Sequence, residues 1–277
     1  MKIARFTNDG VESYGFVTAA GIVDRRDAGV DEATVREFIA SGRVPEVPAE
    51  APAIAVEDVT LLPPVELSKV VCAGVNFATH RVEGKLAADR PEHPTIFTRF
   101  PDSHVGHGAE LLKPAASERF DYEGELAVVI GRRVKDARVE DAPDVVYGYS
   151  CFNDGSVRDW QKHSTQWIPG KNFERSGSMG PYLVTKDEVP RLGASYLSTL
   201  VNGEVRQHAL IEDMLFSVAE LIAYVSTFTP LEPGDVIAAG TPGGVGLFMD
   251  PPTFLQPGDL VEVEIDGVGL LANRVGA

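Results

Sequence analysis

The chain has 277 residues, 44% of them hydrophobic, which is enough apolar surface for one large β domain or for a small domain followed by a larger one. Its 41 acidic and 25 basic side chains give a formal charge of −16, which argues against nucleic acid as a partner because phosphate binding needs a basic patch. It has two cysteines, no apolar run of bilayer length and no signal-like h-region, so we expect a cytoplasmic protein without disulfides or membrane contact.

Residues 1–58 are predicted to form a small N-terminal α/β domain. The patterns there predict two short strands and a helix that ends at a glycine: Ile3–Phe6, Tyr14–Val17 and Asp31–Ser41. A Pro- and Ala-rich stretch, residues 45–52, has no periodicity and predicts a linker to the rest of the chain.

Residues 59–277 are predicted to form a larger domain in which strands dominate. Short β-branched runs separated by Gly and Pro predict these strands: Val70–Gly74, Leu126–Ile130, Tyr182–Thr185, Val236–Ala239 and Leu260–Ile265. One helix interrupts them, because apolar residues recur at helical spacing from Met214 to Val225. The fold class predicted for the whole chain is α+β, mostly β.

Two glutamates open the predicted strand around Leu126–Ile130. Glu123 and Glu125 are two residues apart, so their side chains point to the same face, and Gly124 removes bulk from the opposite face. Two such carboxylates repel each other unless a positive charge lies between them, and a hard divalent cation prefers oxygen ligands. The alternative is an ordinary solvent-facing strand edge.

Asp154 follows another predicted strand, where a short helix is predicted to begin. If the helix starts there, Asp154, Arg158 and Gln161 share one helical face. An acid, a guanidinium and an amide together suit a site for a metal and an anionic ligand. The alternative is a capping Asp with a surface ion pair.

Two further groups could carry chemistry. His80 and Glu83 have the spacing of neighbours on a helical turn, where the carboxylate can hold one imidazole nitrogen and leave the other free as a base. Lys171, after Gly170, could stabilise a developing oxyanion or could be a solvated loop lysine. A lone His–Glu pair at this spacing is also common by chance.

Several motifs occur together in an order that is specific to one family. They are Asn76…His80…Glu83, Asp121-Tyr-Glu-Gly-Glu-Leu-Ala-Val-Val-Ile-Gly, Asn153-Asp…Arg158-Asp-Trp-Gln161, Gly170-Lys, Gly180-Pro and Pro233-Gly-Asp…Gly240-Thr-Pro. With them, residues 60–275 resemble the fumarylacetoacetate hydrolase family. The resemblance implies a C-terminal mixed β-sandwich or roll around the site, a homodimer, and a bound Mg²⁺ or Mn²⁺, with Ca²⁺ as a third option.

Matched position by position, the resemblance implies roles for nine residues. Three carboxylates match the family's metal ligands: Glu123, Glu125 and Asp154. Three residues match its catalytic positions, namely a water-activating dyad and the lysine that faces the reacting centre: His80, Glu83 and Lys171. Three match positions on the substrate side: Arg158, Gln161 and Thr241. One departure is Arg99, which stands where many members carry a lysine.

The resemblance implies a metal-dependent hydrolase that cleaves a C–C bond in a small diketo acid, such as an acylpyruvate or fumarylacetoacetate, through a metal-stabilised enolate. The alternatives on the same site are decarboxylation of a 2-oxo acid such as oxaloacetate, and isomerisation of 2-hydroxyhepta-2,4-diene-1,7-dioate. A non-catalytic module with a structural cation would need none of His80, Glu83 and Lys171. We therefore expect an enzyme whose partner is a small anionic 2-keto acid.

Overall fold

The computed structural model describes residues 1–277 and contains eighteen strands. In chain order they are β1 (Lys2–Asn8), β2 (Val11–Thr18), β3 (Gly21–Asp24), β4 (Thr60–Leu61), β5 (Val70–Gly74), β6 (Thr95–Arg99), β7 (His104–Val105), β8 (Leu111–Leu112), β9 (Phe120–Asp121), β10 (Gly124–Ile130), β11 (Val146–Asn153), β12 (Ser156–Val157), β13 (Gly177–Thr185), β14 (Tyr196–Val201), β15 (Glu204–Leu210), β16 (Val236–Ala238), β17 (Leu260–Ile265) and β18 (Gly269–Gly276). Each of the five strands predicted between residues 70 and 265 is present.

The helices are few and short. The α-helices are α1 (Val35–Ser41), α2 (Ala78–Glu83), α3 (Arg158–Gln161), α4 (Ile168–Lys171) and α5 (Val218–Phe228). The 3₁₀ segments are Val56–Asp58, Pro101–Ser103, Val139–Val145, Lys186–Glu188, Leu192–Ala194, Ile211–Asp213 and Gly246–Phe248. None of the helices combines the length and the apolar character needed to cross a bilayer.

The strands form three sheets. Eleven strands make the large sheet, in the spatial order β3-β2-β1-β13-β11-β10-β16-β5-β6, with β4 beside β1 and β7 beside β13. A second sheet has the order β15-β14-β17-β18-β8, and β9 pairs with β12 alone. Most pairs are antiparallel, but β5 with β16, β7 with β13 and β8 with β18 are parallel. The predicted mostly-β α+β class is confirmed.

The N-terminal strands continue the large sheet. β1 pairs with β13 through Lys2 opposite Val184 and Ile3 opposite Leu183. The two predicted N-terminal strands are present as β1 and β2. The division of the chain at residue 58 stays a prediction, and the hydrogen bonds between β1 and β13 make one sheet of both parts.

Capping residues set the start of two helices. α1 begins at Val35 rather than at Asp31, because the Thr34 side chain accepts a hydrogen bond from the backbone N–H of Glu37. Ser217 caps α5 in the same way, so Met214 lies before the helix, although its spacing fits the helical pattern.

Strand β10 is buried on both faces. Leu126, Val128 and Ile130 pack in a core that includes residues of the five-stranded sheet and of α5. Ala127 and Val129 point the other way, into a core shared with α1. Because a strand buried on both sides has little freedom to move, β10 is a rigid support for the acidic residues at its beginning.

Gly124 at the start of β10 packs directly on the second sheet. A Cβ atom there would lie 2.0 Å from Thr199 Oγ1 on β14. The sequence predicts that Gly124 removes bulk from this face. Packing against Thr199 requires that this position has no side chain.

We predict that Gly124→Ala lowers the free energy of unfolding by about 1–3 kcal/mol, the usual cost of an overpacked core, as measured by urea denaturation. The double variant Gly124→Ala/Thr199→Ala should recover part of the loss because the contacting oxygen is removed. Gly193→Ala is the control, since its Cβ would meet no atom closer than 3.6 Å. Equal effects at Gly124 and Gly193 would show that the contact with Thr199 is unimportant.

Candidate active site

A cavity of about 320 Å³ opens where β10 begins. Seven of the nine predicted site residues line it: His80, Glu123, Glu125, Arg158, Gln161, Lys171 and Thr241. The other two contact lining residues from behind, Glu83 at His80 and Asp154 at Lys171. The structure thus brings all nine into one place, while the role of each stays a prediction.

The three predicted metal ligands form one buried cluster. In the antiparallel pairing of β10 with β11, Gly124 lies opposite Asn153, so Asp154 leaves β11 beside Glu123. The Asp154 N–H donates to the Glu123 carbonyl oxygen at 2.8 Å. One carboxylate oxygen from each of Glu123, Glu125 and Asp154 can be chosen so that all lie within 4.8 Å of one another. Strand pairing, and not local sequence, therefore assembles the cluster.

Lys171 lies between two of the three carboxylates. Its Nζ donates to Glu123 Oε2 and to Asp154 Oδ2, each at 2.6 Å. Burial lowers the pKa of this ammonium, but the charges of Asp154 and Glu123 outweigh burial, and the net shift is upward. Burial likewise opposes ionisation of Glu123, yet Lys171 and Arg158 bring its pKa below the ordinary value. Both groups are therefore charged partners.

Glu125 has no such partner. It is 1% exposed, forms no ion pair, and its carboxylate accepts one hydrogen bond, from the Gly240 N–H at 3.0 Å. Burial, together with repulsion from Asp154 and Glu123, raises the pKa of the Glu125 carboxyl well above its usual value. A carboxylate in this setting needs either a proton or a cation.

The charge balance of the buried groups fits a divalent cation. Four carboxylates face three cations: Asp121, Glu123, Glu125 and Asp154 against Arg99, Arg158 and Lys171. If all are ionised, one negative charge is left, which is costly to bury. A divalent cation would change the balance to one positive charge, which an anionic ligand in the cavity would neutralise. Oxygen-only ligands suit Mg²⁺, Mn²⁺ or Ca²⁺. The residues present therefore fit the metal that the resemblance implies.

Arg158 contacts the carboxylate cluster in a different way from the one that the sequence predicts. The helix does not start at Asp154, because β12 intervenes and α3 begins only at Arg158. The predicted helical face shared with Asp154 is therefore wrong. Instead, Arg158 Nε donates to Asp121 Oδ2 at 2.8 Å and Nη1 donates to Glu123 Oε1 at 2.6 Å. Its Nη2 is buried without a hydrogen-bond partner in the protein, and the residue lines the cavity.

Two buried residues that received no role from the sequence hold the cluster in place. Arg99 Nη1 donates to Asp154 Oδ1 at 2.5 Å, which leaves Oδ2 toward Lys171. Asp121 accepts from Arg158 and from the backbone N–H groups of Gly246 and Leu247. Both residues lie in or beside the recognised motifs, but their partners are distant in sequence, so no local pattern indicates these contacts.

The predicted dyad is formed on α2. His80 Nδ1 lies 2.6 Å from Glu83 Oε1, and Glu83 Oε2 accepts from the Gly244 N–H at 2.8 Å. With the carboxylate on Nδ1, that nitrogen carries the proton and Nε2 is left as a base. Nε2 makes no hydrogen bond within the protein, and His80 lines the cavity. The Gly-rich loop after β16 thus fixes the dyad through its backbone.

Thr241 is oriented by Gln207, a residue that the sequence did not indicate. Gln207 Nε2 donates to Thr241 Oγ1 at 2.7 Å, and Gln207 Oε1 accepts from the Gly124 N–H at 3.0 Å. Because the Thr241 oxygen accepts this bond, its own proton is free to donate elsewhere. No sequence signal marks Gln207, which lies on the edge strand β15 of the second sheet.

Comparison with known proteins agrees with this geometry. The family model described as fumarylacetoacetate (FAA) hydrolase C-terminal matches residues 69–276. The chain is 42% identical over 215 residues to oxaloacetate tautomerase YisK of Bacillus subtilis (strain 168), which covers 77% of this chain and 71% of that protein. It is 42% identical over 230 residues to human mitochondrial oxaloacetate tautomerase FAHD2A, covering 82% and 73%.

Two solved structures are similar to the whole chain or to most of it. A fumarylacetoacetate hydrolase (EaFAH) from psychrophilic Exiguobacterium antarcticum superposes with a TM-score of 0.90 at 37% identity, covering 100% of this chain and 99% of that one. Fumarylpyruvate hydrolase from Pseudomonas aeruginosa, in complex with Mn²⁺ and pyruvate, gives a TM-score of 0.69 at 32% identity, covering 79% and 91%.

The chain belongs to the fumarylacetoacetate hydrolase family, and the prediction made from its motifs is confirmed. It is an enzyme of that family, with the family's fold. The names of its relatives include tautomerases, isomerases and hydrolases, so the family does not by itself fix the reaction.

We predict that Glu125→Gln removes cation binding without harming the metal-free protein. In EDTA the variant should unfold at the same temperature as the wild type or higher, because the cost of burying or protonating the Glu125 carboxyl group is removed. Wild type should gain about 2.7 kcal/mol of stability at Mn²⁺ equal to 100 times Kd, and the variant nothing, as measured by thermal unfolding.

The control for this experiment is Glu264→Gln, the same change at an exposed position of β17. It should respond to Mn²⁺ as the wild type does. If Glu125→Gln is stabilised by Mn²⁺ as much as the wild type is, Glu125 is not a metal ligand.

Proposed function

We propose that the protein is a divalent-metal-dependent enzyme that interconverts the keto and enol forms of a small 2-oxo dicarboxylic acid of the oxaloacetate class. The observation that carries the proposal is the buried cluster of Glu123, Glu125 and Asp154, in which Glu125 has no cationic partner, in the same cavity as the unpaired Nε2 of His80. The names of the tautomerase relatives support this choice of reaction. Tautomerisation is not among the reactions that the sequence predicted.

The cation would be held by Glu123, Glu125 and Asp154. When bound, it would supply a Lewis acid for the 2-oxo carboxylate end of the substrate. Mn²⁺ is named with pyruvate in the fumarylpyruvate hydrolase structure, which favours Mn²⁺ or Mg²⁺ here. Lys171, 2.6 Å from two of the ligands, offsets part of the negative charge of the cluster.

Keto–enol exchange needs one base and one proton donor. A C3–H bond breaks, an O–H bond forms at the 2-oxygen, and no atom is gained or lost. His80 Nε2 would take the C3 proton, and Glu83 would stabilise the imidazolium through Nδ1. The imidazolium would then donate that same proton to the 2-oxygen. The reverse reaction returns the proton by the same route.

The residues predicted on the substrate side have hydrogen-bond donors without a partner in the protein. Arg158 Nη2 is buried without an acceptor, and the Thr241 hydroxyl proton is left free by the bond from Gln207. With Gln161, they would bind the carboxylate beside the 2-oxo group. A volume of about 320 Å³ is at the small end of the range for ligand pockets, about 300–1,000 Å³, which suits a short substrate.

Hydrolysis of an acylpyruvate is the second candidate function. The His80–Glu83 dyad is the observation that favours it, because a base held by a carboxylate can also take a proton from water. The similarity to fumarylpyruvate hydrolase supports it as well. Decarboxylation and dienedioate isomerisation would use the same cluster and stay further predictions.

The cytoplasmic location and the homodimer that the sequence analysis predicted stay predictions. Sedimentation equilibrium at micromolar concentration would give the oligomeric state directly.

We predict that His80→Gln lowers kcat/KM for oxaloacetate tautomerisation by about two to four orders of magnitude, the usual contribution of a general acid–base group. The enol is followed by ultraviolet absorbance with Mn²⁺ present, and pyruvate release is measured in parallel to detect decarboxylation. Acylpyruvates are assayed with the same enzyme samples, which tests hydrolysis as the second candidate.

His93→Gln is the matched control, because the His93 side chain is 64% exposed and does not line the cavity. It should behave as the wild type does. Wild-type rates in His80→Gln would remove His80 from the mechanism. If wild type cleaves acylpyruvates with Mn²⁺ but does not tautomerise oxaloacetate, hydrolysis replaces tautomerisation as the function.

A further inference from the structure

One cation that lines the cavity has no carboxylate partner. Of the lysines and arginines there, Arg158 pairs with Asp121 and Glu123, and Lys171 pairs with Glu123 and Asp154. Lys162 also lines the cavity, but its ammonium forms no ion pair and no hydrogen bond with the protein. In a chain with 41 acidic residues, this absence leaves a positive charge available to a ligand.

Lys162 lies one helical turn from Arg158. α3 spans Arg158–Gln161 and Lys162 is its C-cap, with helical dihedrals of φ −86° and ψ −4°. Residues four apart on a helix lie on the same face, with Cβ atoms about 5–6 Å apart. The two residues therefore start from neighbouring positions on α3. Arg158 is directed to the carboxylate cluster, and Lys162 lies at the exposed rim of the same cavity.

The segment that follows Lys162 ends at Trp167, which packs against β5 and β6. Trp167 lines the cavity and lies so close to β5 that a Cβ atom on Gly74 would be 2.3 Å from Trp167 Cζ3. The Trp167 ring also makes an edge contact with Phe97, with centroids 5.6 Å apart. Its backbone φ of +62° is unusual for a bulky residue. This packing anchors the segment after Lys162 to the cavity.

We propose that Lys162 binds the distal carboxylate of the substrate and so selects 2-oxo dicarboxylic over 2-oxo monocarboxylic acids. The inference rests on the proposed function, in which the 2-oxo end of the substrate binds at the carboxylate cluster. Lys162 would bind the other end. A C4 dicarboxylate has its second carboxylate only two carbons away from the 2-oxo carbon. Such a group would reach a cation one helical turn from Arg158.

The test compares two unreactive ligands that differ only in the distal carboxylate, malate and lactate. Their affinities for the Mn²⁺-loaded protein are measured by calorimetry in wild type, Lys162→Met and Lys162→Arg. Malate should bind wild type more tightly than lactate does. Lys162→Met should weaken malate binding about three- to tenfold, the scale of a partly exposed ion pair, and leave lactate unchanged. Lys162→Arg keeps the charge and should restore the preference.

Lys2→Met is the control for overall charge, because Lys2 is exposed, unpaired and outside the cavity. It should bind malate as the wild type does. The inference is overturned if wild type shows no preference for malate, if Lys162→Met loses both ligands equally, or if Lys2→Met weakens malate as much. The calorimetric affinities do not depend on turnover. If the enzyme binds malate as expected but does not tautomerise oxaloacetate, the proposed function is wrong and the role of Lys162 in binding still holds.

Discussion

Mutual repulsion between three buried carboxylates is the interaction on which the rest of the site depends. Glu123, Glu125 and Asp154 present oxygens within 4.8 Å of one another, away from water. Like charges this close strongly disfavour the ionised state unless cations are near. Arg99, Arg158 and Lys171 supply those cations from three separate segments, and each is itself buried. Because Arg158 also pairs with a fourth buried carboxylate, Asp121, the charge of Glu125 is left unbalanced, which is the physical reason for expecting a metal ion.

The scaffold keeps the three carboxylates together because the strand that carries two of them cannot move. β10 is buried on both faces, and Gly124 fits against Thr199 with no room for a side chain. The carboxylates at the start of such a strand cannot relax toward solvent. The same network reaches the opposite wall, since Asp121 joins Arg158 to the backbone of Gly246 and Leu247. The position of the metal ligands and the shape of the cavity are therefore set together.

Period-2 alternation and motif order were sufficient to predict part of this arrangement. They placed Glu123 and Glu125 on one face and identified the family, and the i,i+3 spacing of His80 and Glu83 predicted the contact that α2 makes. The helical face proposed for Asp154 and Arg158 was wrong, because a local pattern could not show that β12 intervenes. The contacts of Arg99 with Asp154 and of Gln207 with Thr241 join residues 55 and 34 positions apart, and no local rule reports contacts at that distance.

Anomalous diffraction from crystals soaked in MnCl₂ tests whether a divalent cation occupies the acidic cluster. We expect a strong manganese peak within coordination distance of Glu123, Glu125 and Asp154, and no comparable peak in crystals of Glu125→Gln treated in the same way. If soaked wild-type crystals have no peak at the cluster and Lys171 still bridges Glu123 and Asp154, then the cluster is held by its own cations and does not bind a metal ion.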